Sequence, residues 1–157
     1  MEDIDHDAPV TRRPVAATIS AVIKDGAVLL VRRANAPDAG LWGFPGGKIE
    51  FGETVHAATV RELFEETSVI AEVVTVFNAV DAFDIDDSTG IRGHYILIAV
   101  LCRWISGSPL AGDDALEAAW HSLAQLGATD VGMSFGVADV ARQAAALAGN
   151  FQKIRLS

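Results

Sequence analysis

The chain has 157 residues, half of them hydrophobic and 21% charged, with a net charge of -9 and one cysteine. That length supplies one domain with a core of its own, and the balance excludes a disordered chain. The acidic charge excludes a nucleic-acid polymer as the main partner, and the lone Cys102 excludes an internal disulfide framework and fits a reducing compartment. A small phosphorylated ligand stays open, because a metal ion can supply positive charge that the protein lacks.

The opening "MEDIDHDAPVTRRP" is polar and predicts a loose arm over residues 1–13, followed by a single domain over 14–157. "VAATISAVI" predicts a strand, and "KDGAVLLVRR" a turn at Asp25-Gly26 with a second strand. "ANAPDAGLWGFPGG" predicts a loop with a short extended piece at Leu41 to Phe44. A helix follows over Thr54 to Thr67, then a β-rich segment "VIAEVVTVFNAVDAF" and an acidic turn "DIDDSTG". "RGHYILIAVLCRW" has the continuous apolarity of a central strand, yet is too short to span a bilayer. "SGSPLAGDD" is a loop, "EAAWHSL" a short strand, and Ser134 to Ala148 a closing helix. Strands interleaved with two separated helices predict an α/β layered domain. With no apolar leader, the expectation is a cytoplasmic protein without a membrane partner.

The stretch "PGGKIEFGETVHAATVRELFEETSV" concentrates acid. Residues three and four apart share a helix face, so Glu62, Glu65 and Glu66 fall in one sector about one turn long. Val60, Leu63, Phe64 and Thr67, with Ala57 and Ala58, are expected on the opposite, sheet-facing side. Like charges at this spacing repel by a few tenths of a kcal/mol per pair. Arg61 offsets part of this, and no lysine lies between Lys48 and Lys153. The bland reading is a solvated acidic face. The other is a hard-oxygen site for Mg²⁺ or Mn²⁺, completed by a carbonyl from the Gly46-Gly47 loop. Spacing alone leaves both open.

Gly47, five residues, Glu53, seven residues, then "RELFEETSV" resembles the Nudix box, with eight of nine constrained positions matched. A chance match this good is on the order of 10⁻⁵ for average residue frequencies. "GLWGFPGG" looks like the family's usual lead-in. "HYILIAVLC" and "AGDDALEAAWHSL" look most like its bacterial ADP-ribose pyrophosphatase-like group. The resemblance implies an α/β/α sandwich with a mixed β-sheet. It also implies a pyrophosphohydrolase that uses Mg²⁺ or Mn²⁺ while water attacks phosphorus.

The implied substrate is a nucleoside diphosphate linked to another moiety, ADP-ribose or a sugar nucleotide first. A (d)NTP pyrophosphohydrolase is the same-class rival, and a non-catalytic nucleotide-binding domain the different-class one. By similarity Glu62, Glu65 and Glu66 are direct or water-mediated metal ligands and the Gly46 carbonyl another. Glu53 supports the site through water or Arg61, and Arg61 orients carboxylates. Glu117 lies where relatives carry a later-loop ligand or general base, with Asp113 and Asp114 as competitors; its alternative is a surface glutamate at a strand edge. Ser68 replaces the box glycine, a helix C-terminal residue favoured because it adopts positive φ freely. That departure bears on helix-end geometry and removes no ligand.

Outside the box, Arg32, Arg33 and Phe83 are candidate substrate contacts, with the acidic turn beside Phe83 a candidate pocket border. Trp42 and Phe44 either stack on a base or pack the loop. His56, His94 and His121 read as structural or exposed, and Cys102 as a small core residue. Relatives are commonly homodimers, but no feature of this sequence identifies an interface.

Overall fold

The computed structural model describes residues 12–35, 38–127 and 132–156, with side chains described to residue 153. Most of the expected N-terminal arm lies outside the described residues. β1 (Val15–Lys24) and β2 (Ala27–Arg33) are joined at Asp25 and Gly26, which sit at φ 51° and 74°. A two-residue turn matching the twist of its strands needs positive φ at both positions, which Asp-Gly accepts. The two strands pair only at Ile23↔Val28 and Lys24↔Ala27 and then separate. The sheet is built around that split.

Beyond it, β1 takes β4 (Gly46–Lys48) antiparallel on one side and β6 (Gly90–Ser106) parallel on the other. β2 takes β3 (Trp42–Gly43) and β7 (Ala115–Ser122), both antiparallel. β5 (Ile70–Asp86) forms a long hairpin with β6 and leaves β6 internal, as its apolar run predicts. The outcome is one mixed seven-stranded sheet.

Two helices cover it, α1 (Val55–Thr67) and α2 (Val137–Leu156). Alternation along the strands shows that they lie on opposite faces. Ala21, Val28, Leu30, Ala99 and Leu101 pack with Val137, Val140, Ala141 and Ala144 of α2. The interleaved Val22, Leu29, Val100 and Cys102 pack with Leu63 of α1. Strands buried on both faces read as continuous apolar runs, and this α/β/α sandwich is the expected fold.

Element ends differ from the sequence reading at several places, and β4 begins inside the stretch read as a loop. α2 starts at Val137 because Gly136 stands at φ 81°, and it runs on through Gly149, which local propensity marks as a stop. The acidic turn is shorter than expected, since Asp84 to Asp86 continue β5. Asp86 then accepts from the Ser88 hydroxyl and from the amides of Ser88 and Thr89. These bonds, the Ser88 hydroxyl first, hold its carboxyl at a pKa of about 2.

Candidate active site

Thr54 starts α1 by accepting the Ala57 amide at 3.1 Å. Ser68 ends it in the left-handed region at φ 61°, with its N–H donating to the Phe64 carbonyl at 2.8 Å. This is the conformation for which glycine is favoured, so serine costs about 1 kcal/mol there. The chain adopts the geometry despite its Cβ.

The inward face of α1 matches the expected one at Ala58, Leu63 and Thr67 and differs at Ala57, Thr59, Val60 and Phe64. Its buried residues are Ala58, Thr59, Leu63 and Thr67, while Val60 and Phe64 are exposed. At about 100° per residue, Ala58, Glu62, Val55, Glu66, Thr59, Leu63 and Thr67 follow one another within half a turn of the helical wheel. Glu62 and Glu66 therefore stand inside the sheet-facing sector, with Glu65 at its margin. Side-chain exposures of 16% for Glu62 and 41% for Glu65 show the gradient. The solvated-face reading fails for Glu62, whose carboxylate lies over Gly47 so closely that a Cβ there would overlap it.

β4 meets this face. Its odd positions bond β1 and its neighbours, as Pro45 O accepts from Ser20 N and Ile49 N donates to Ala16 O. Alternation turns the even positions toward α1. The Gly46 amide bonds the Glu66 carboxylate, and the Lys48 carbonyl accepts from Arg61 Nη2. The Gly46 carbonyl, a candidate ligand, leaves the strand on that same edge. Gly46 has no room for a side chain because a Cβ would overlap the Thr18 carbonyl.

Arg61 gathers three carboxylates. Its Nε and Nη2 bond Glu53 at 2.6 and 2.8 Å, while Nη1 bonds Glu62 at 2.8 Å and Glu65 at 3.2 Å. The Arg61 bonds, aided by the Glu50 amide, lower the Glu53 pKa to about 2. Arg61 is in turn raised above its usual value, mainly by Glu53. Glu66 behaves oppositely: burial, and then the charge of Glu62, raise its pKa to about 8 against the Gly46 amide and Arg33. A carboxyl this reluctant to ionise is short of positive charge.

Hard oxygen donors with surplus negative charge suit Mg²⁺ or Mn²⁺. The donor chemistry therefore fits a divalent cation. Among the described residues no group of three His, Cys, Asp or Glu side chains stands in ready coordinating geometry. Arg61 instead holds Glu62 and Glu65 together.

The other candidates divide between the two faces. Glu117 pairs across β2–β7 with Arg32, its Oε1 accepting from Nη2 at 2.7 Å. Cross-strand partners share a face, and Leu29↔Trp120 belongs to the α1 side, so Glu117 and Arg32 belong to the α2 side. Glu117 is thus placed apart from the α1 carboxylates, by the parity of β7. Arg33, one residue on, faces α1 and acts on Glu66.

Phe83 is 48% exposed on the β5–β6 hairpin and stacks on His94 at 4.6 Å. His94 Nε2 lies 2.9 Å from Asp81 Oδ1. Phe44 is core, and Trp42 packs edge-on against His121 at 4.4 Å. Burial lowers the His121 pKa, and burial raises Cys102 to about 12. His56 is exposed.

Sequence reasoning missed the Thr18–Thr59 hydroxyl pair under α1 and the loop before β7 that closes on its end. Thr59 is legible only once the inward sector is drawn through Glu62. The loop bonds α1 through backbone amides, which leave no side-chain signature.

The family model for the NUDIX domain matches residues 12–139. The chain belongs to the Nudix hydrolase family. It is therefore an enzyme, and α1 is its Nudix helix. An ADP-ribose pyrophosphatase of Methanocaldococcus jannaschii is 40% identical over 113 residues, 72% of this chain and 64% of that protein. The match thus spans less than two thirds of that relative's length. An 8-oxo-dGTP diphosphatase of Escherichia coli (strain K12) is 35% identical over 99 residues, 63% of this chain and 71% of that protein. The crystal structure of a MutT Nudix hydrolase from Burkholderia pseudomallei superposes with a TM-score of 0.71 at 29% identity, covering 84% of this Nudix chain and 98% of that one.

No helix among the described residues is long and apolar enough to cross a membrane. A cavity of about 990 Å³ at the Lys24 end of the sheet, lined by Arg103, Trp104 and Phe151 among others, shares no residue with the carboxylate group.

Proposed function

We propose that this Nudix hydrolase cleaves the pyrophosphate bond of a nucleoside diphosphate linked to another moiety, with Mg²⁺ or Mn²⁺ held by Glu62, Glu65, Glu66 and the Gly46 carbonyl. The carrying observation is geometric: Glu62 lies over Gly47 and the half-buried Glu66 carboxylate bonds the Gly46 amide, so both acids turn toward the sheet together. A divalent cation held by these groups would supply charge to neutralise the diphosphate and would favour ionised water as the nucleophile.

The chain's own residues hold this arrangement. Gly46 N–H orients the Glu66 carboxylate, and Arg61, fixed by Glu53, carries Glu62 and Glu65. Arg61 is a positioning residue, since its five N–H donors are spent on Glu53, Glu62, Glu65 and the Lys48 carbonyl. Arg33 adds positive charge at the edge of the group. Glu117, paired with Arg32 on the α2 side, takes no part in holding the cation in this reading. Arg32, Arg33 and Phe83 remain the candidates for binding the rest of the substrate.

ADP-ribose or a sugar nucleotide is the first substrate choice, supported by the 40% identical relative named an ADP-ribose pyrophosphatase. The 35% identical 8-oxo-dGTP diphosphatase favours (d)NTP hydrolysis as the second reading. The proposal takes residues 14–157 as one domain working in the cytoplasm on a small nucleotide. Product analysis over ADP-ribose, sugar nucleotides and (d)NTPs, with Mg²⁺ and with EDTA, separates the readings. AMP and ribose 5-phosphate from ADP-ribose support the first. Pyrophosphate released from (d)NTPs alone supports the second, and turnover undiminished in EDTA removes the metal from both.

A further inference from the structure

We infer that the loop joining β6 to β7 positions the carboxylates of α1, with Gly112 as its positioning residue. The inference rests on the metal-site reading of those carboxylates. Glu62, Glu65 and Glu66 occupy the last two turns of α1, and no basic residue lies in its last turn. That is the negative end of the helix dipole, where anions are disfavoured and the final carbonyls have no partner within the helix. The helix end therefore needs donors from elsewhere.

Ser68 N–H reaches back to Phe64, and the loop supplies donors to Glu66 and Thr67. Gly112 N–H donates to the Glu66 carbonyl and Leu110 N–H to the Thr67 carbonyl, each at 2.9 Å. Gly112 lies so close to the Glu65 carbonyl that a Cβ would overlap it. Glu66 is consequently held twice, through its carbonyl by Gly112 and through its carboxylate by Gly46.

The loop is itself fixed at both ends. Trp104 Nε1 donates to the Gly107 carbonyl at 2.9 Å. At the other end Asp114, at φ 52°, accepts from the Ala34 amide at 3.0 Å and, through its side chain, from Asn35 Nδ2 at 3.1 Å. These bonds tie the loop to the end of β2, beside Arg33. A hard cation tolerates little error in ligand placement, so a displaced helix end weakens binding even with every carboxylate present.

The test is calorimetric titration with Mn²⁺ alone, alongside thermal melts, for the wild type, Gly112→Ala, Leu110→Pro and Leu101→Ala. Leu101 is buried on the α2 face and serves as a destabilised control. Gly112→Ala is expected to bind Mn²⁺ roughly 10- to 100-fold more weakly, the usual effect of losing an outer support of a metal ligand. Leu101→Ala is expected to melt earlier with wild-type affinity. Leu110→Pro removes one donor without adding an atom against Glu65, and gives the same reading where Gly112→Ala does not fold. Wild-type Mn²⁺ affinity in a folded loop variant with a lowered melting temperature overturns the inference and leaves the metal site standing. A wild type that binds no Mn²⁺ overturns the metal-site reading first and this inference with it.

Discussion

The two faces of the sheet are buried by helices that do opposite work. α2 covers its face with Val137, Val140, Ala141 and Ala144, packed on Ala21, Val28, Leu30, Ala99 and Leu101. α1 covers the other face with Leu63 and Ala58 but also turns Glu62 and Glu66 inward, beside the hydroxyls of Thr18 and Thr59. Burial on the α2 face stabilises the fold. Burial on the α1 face raises the energy of charge at Glu66. One sheet thus separates a purely apolar helix contact from the face that carries the carboxylates proposed to do the chemistry.

Substitutions on the two faces should separate in the same way. The largest effect is expected for Glu66→Gln: activity on the best substrate falls on the order of 10²- to 10³-fold. Its metal-free melting temperature at pH 8 should stay level or rise, because a buried ionised carboxylate has been removed. A fall in both would merge the two faces and break the contrast. Leu101→Ala should do the reverse, losing about 2–5 kcal/mol in urea unfolding while turnover per folded molecule stays at the wild-type value.

The contrast sharpens with pH. The folded-state pKa of Glu66, about 8, lies above its ordinary value of 4.5, so the folded protein holds a proton that the unfolded chain releases in that window. The contribution is favourable at low pH and is lost as pH rises through about 8. Metal-free wild type should therefore lose stability from pH 5 to pH 8 relative to Glu66→Gln in parallel urea titrations. Equal slopes would show that Glu66 is not buried as described.

Ser68→Gly gives the smallest effect, a gain of about 1 kcal/mol at the end of α1 with unchanged turnover. No gain would mean that the serine is unstrained at φ 61°.

Much of this was legible in the sequence. The Asp25-Gly26 turn and the strand patterns pointed to an α/β layered domain, because each depends on local chemistry or a fixed period, and the box spacing gave the Nudix resemblance that implied the sandwich. The direction of the glutamates was not. Val60 and Phe64 are the more apolar residues, so hydrophobicity put them inward, whereas packing buries Thr59 beside the expected Leu63 and Thr67 and leaves Val60 and Phe64 outside. Glu117 illustrates a second limit: its residue type fits a metal ligand, but strand parity sends it to Arg32 on the α2 side. The donors closing α1 are backbone amides of Leu110 and Gly112, which composition does not reveal.

The central claim is that the inward acid of α1 is a cation site. A calorimetric titration of Mn²⁺ into the wild type and into Glu62→Gln/Glu66→Gln tests it most directly. Saturable binding by the wild type, abolished in a double variant that remains folded, is the predicted result. Equal binding by both proteins, or none by the wild type, would contradict it.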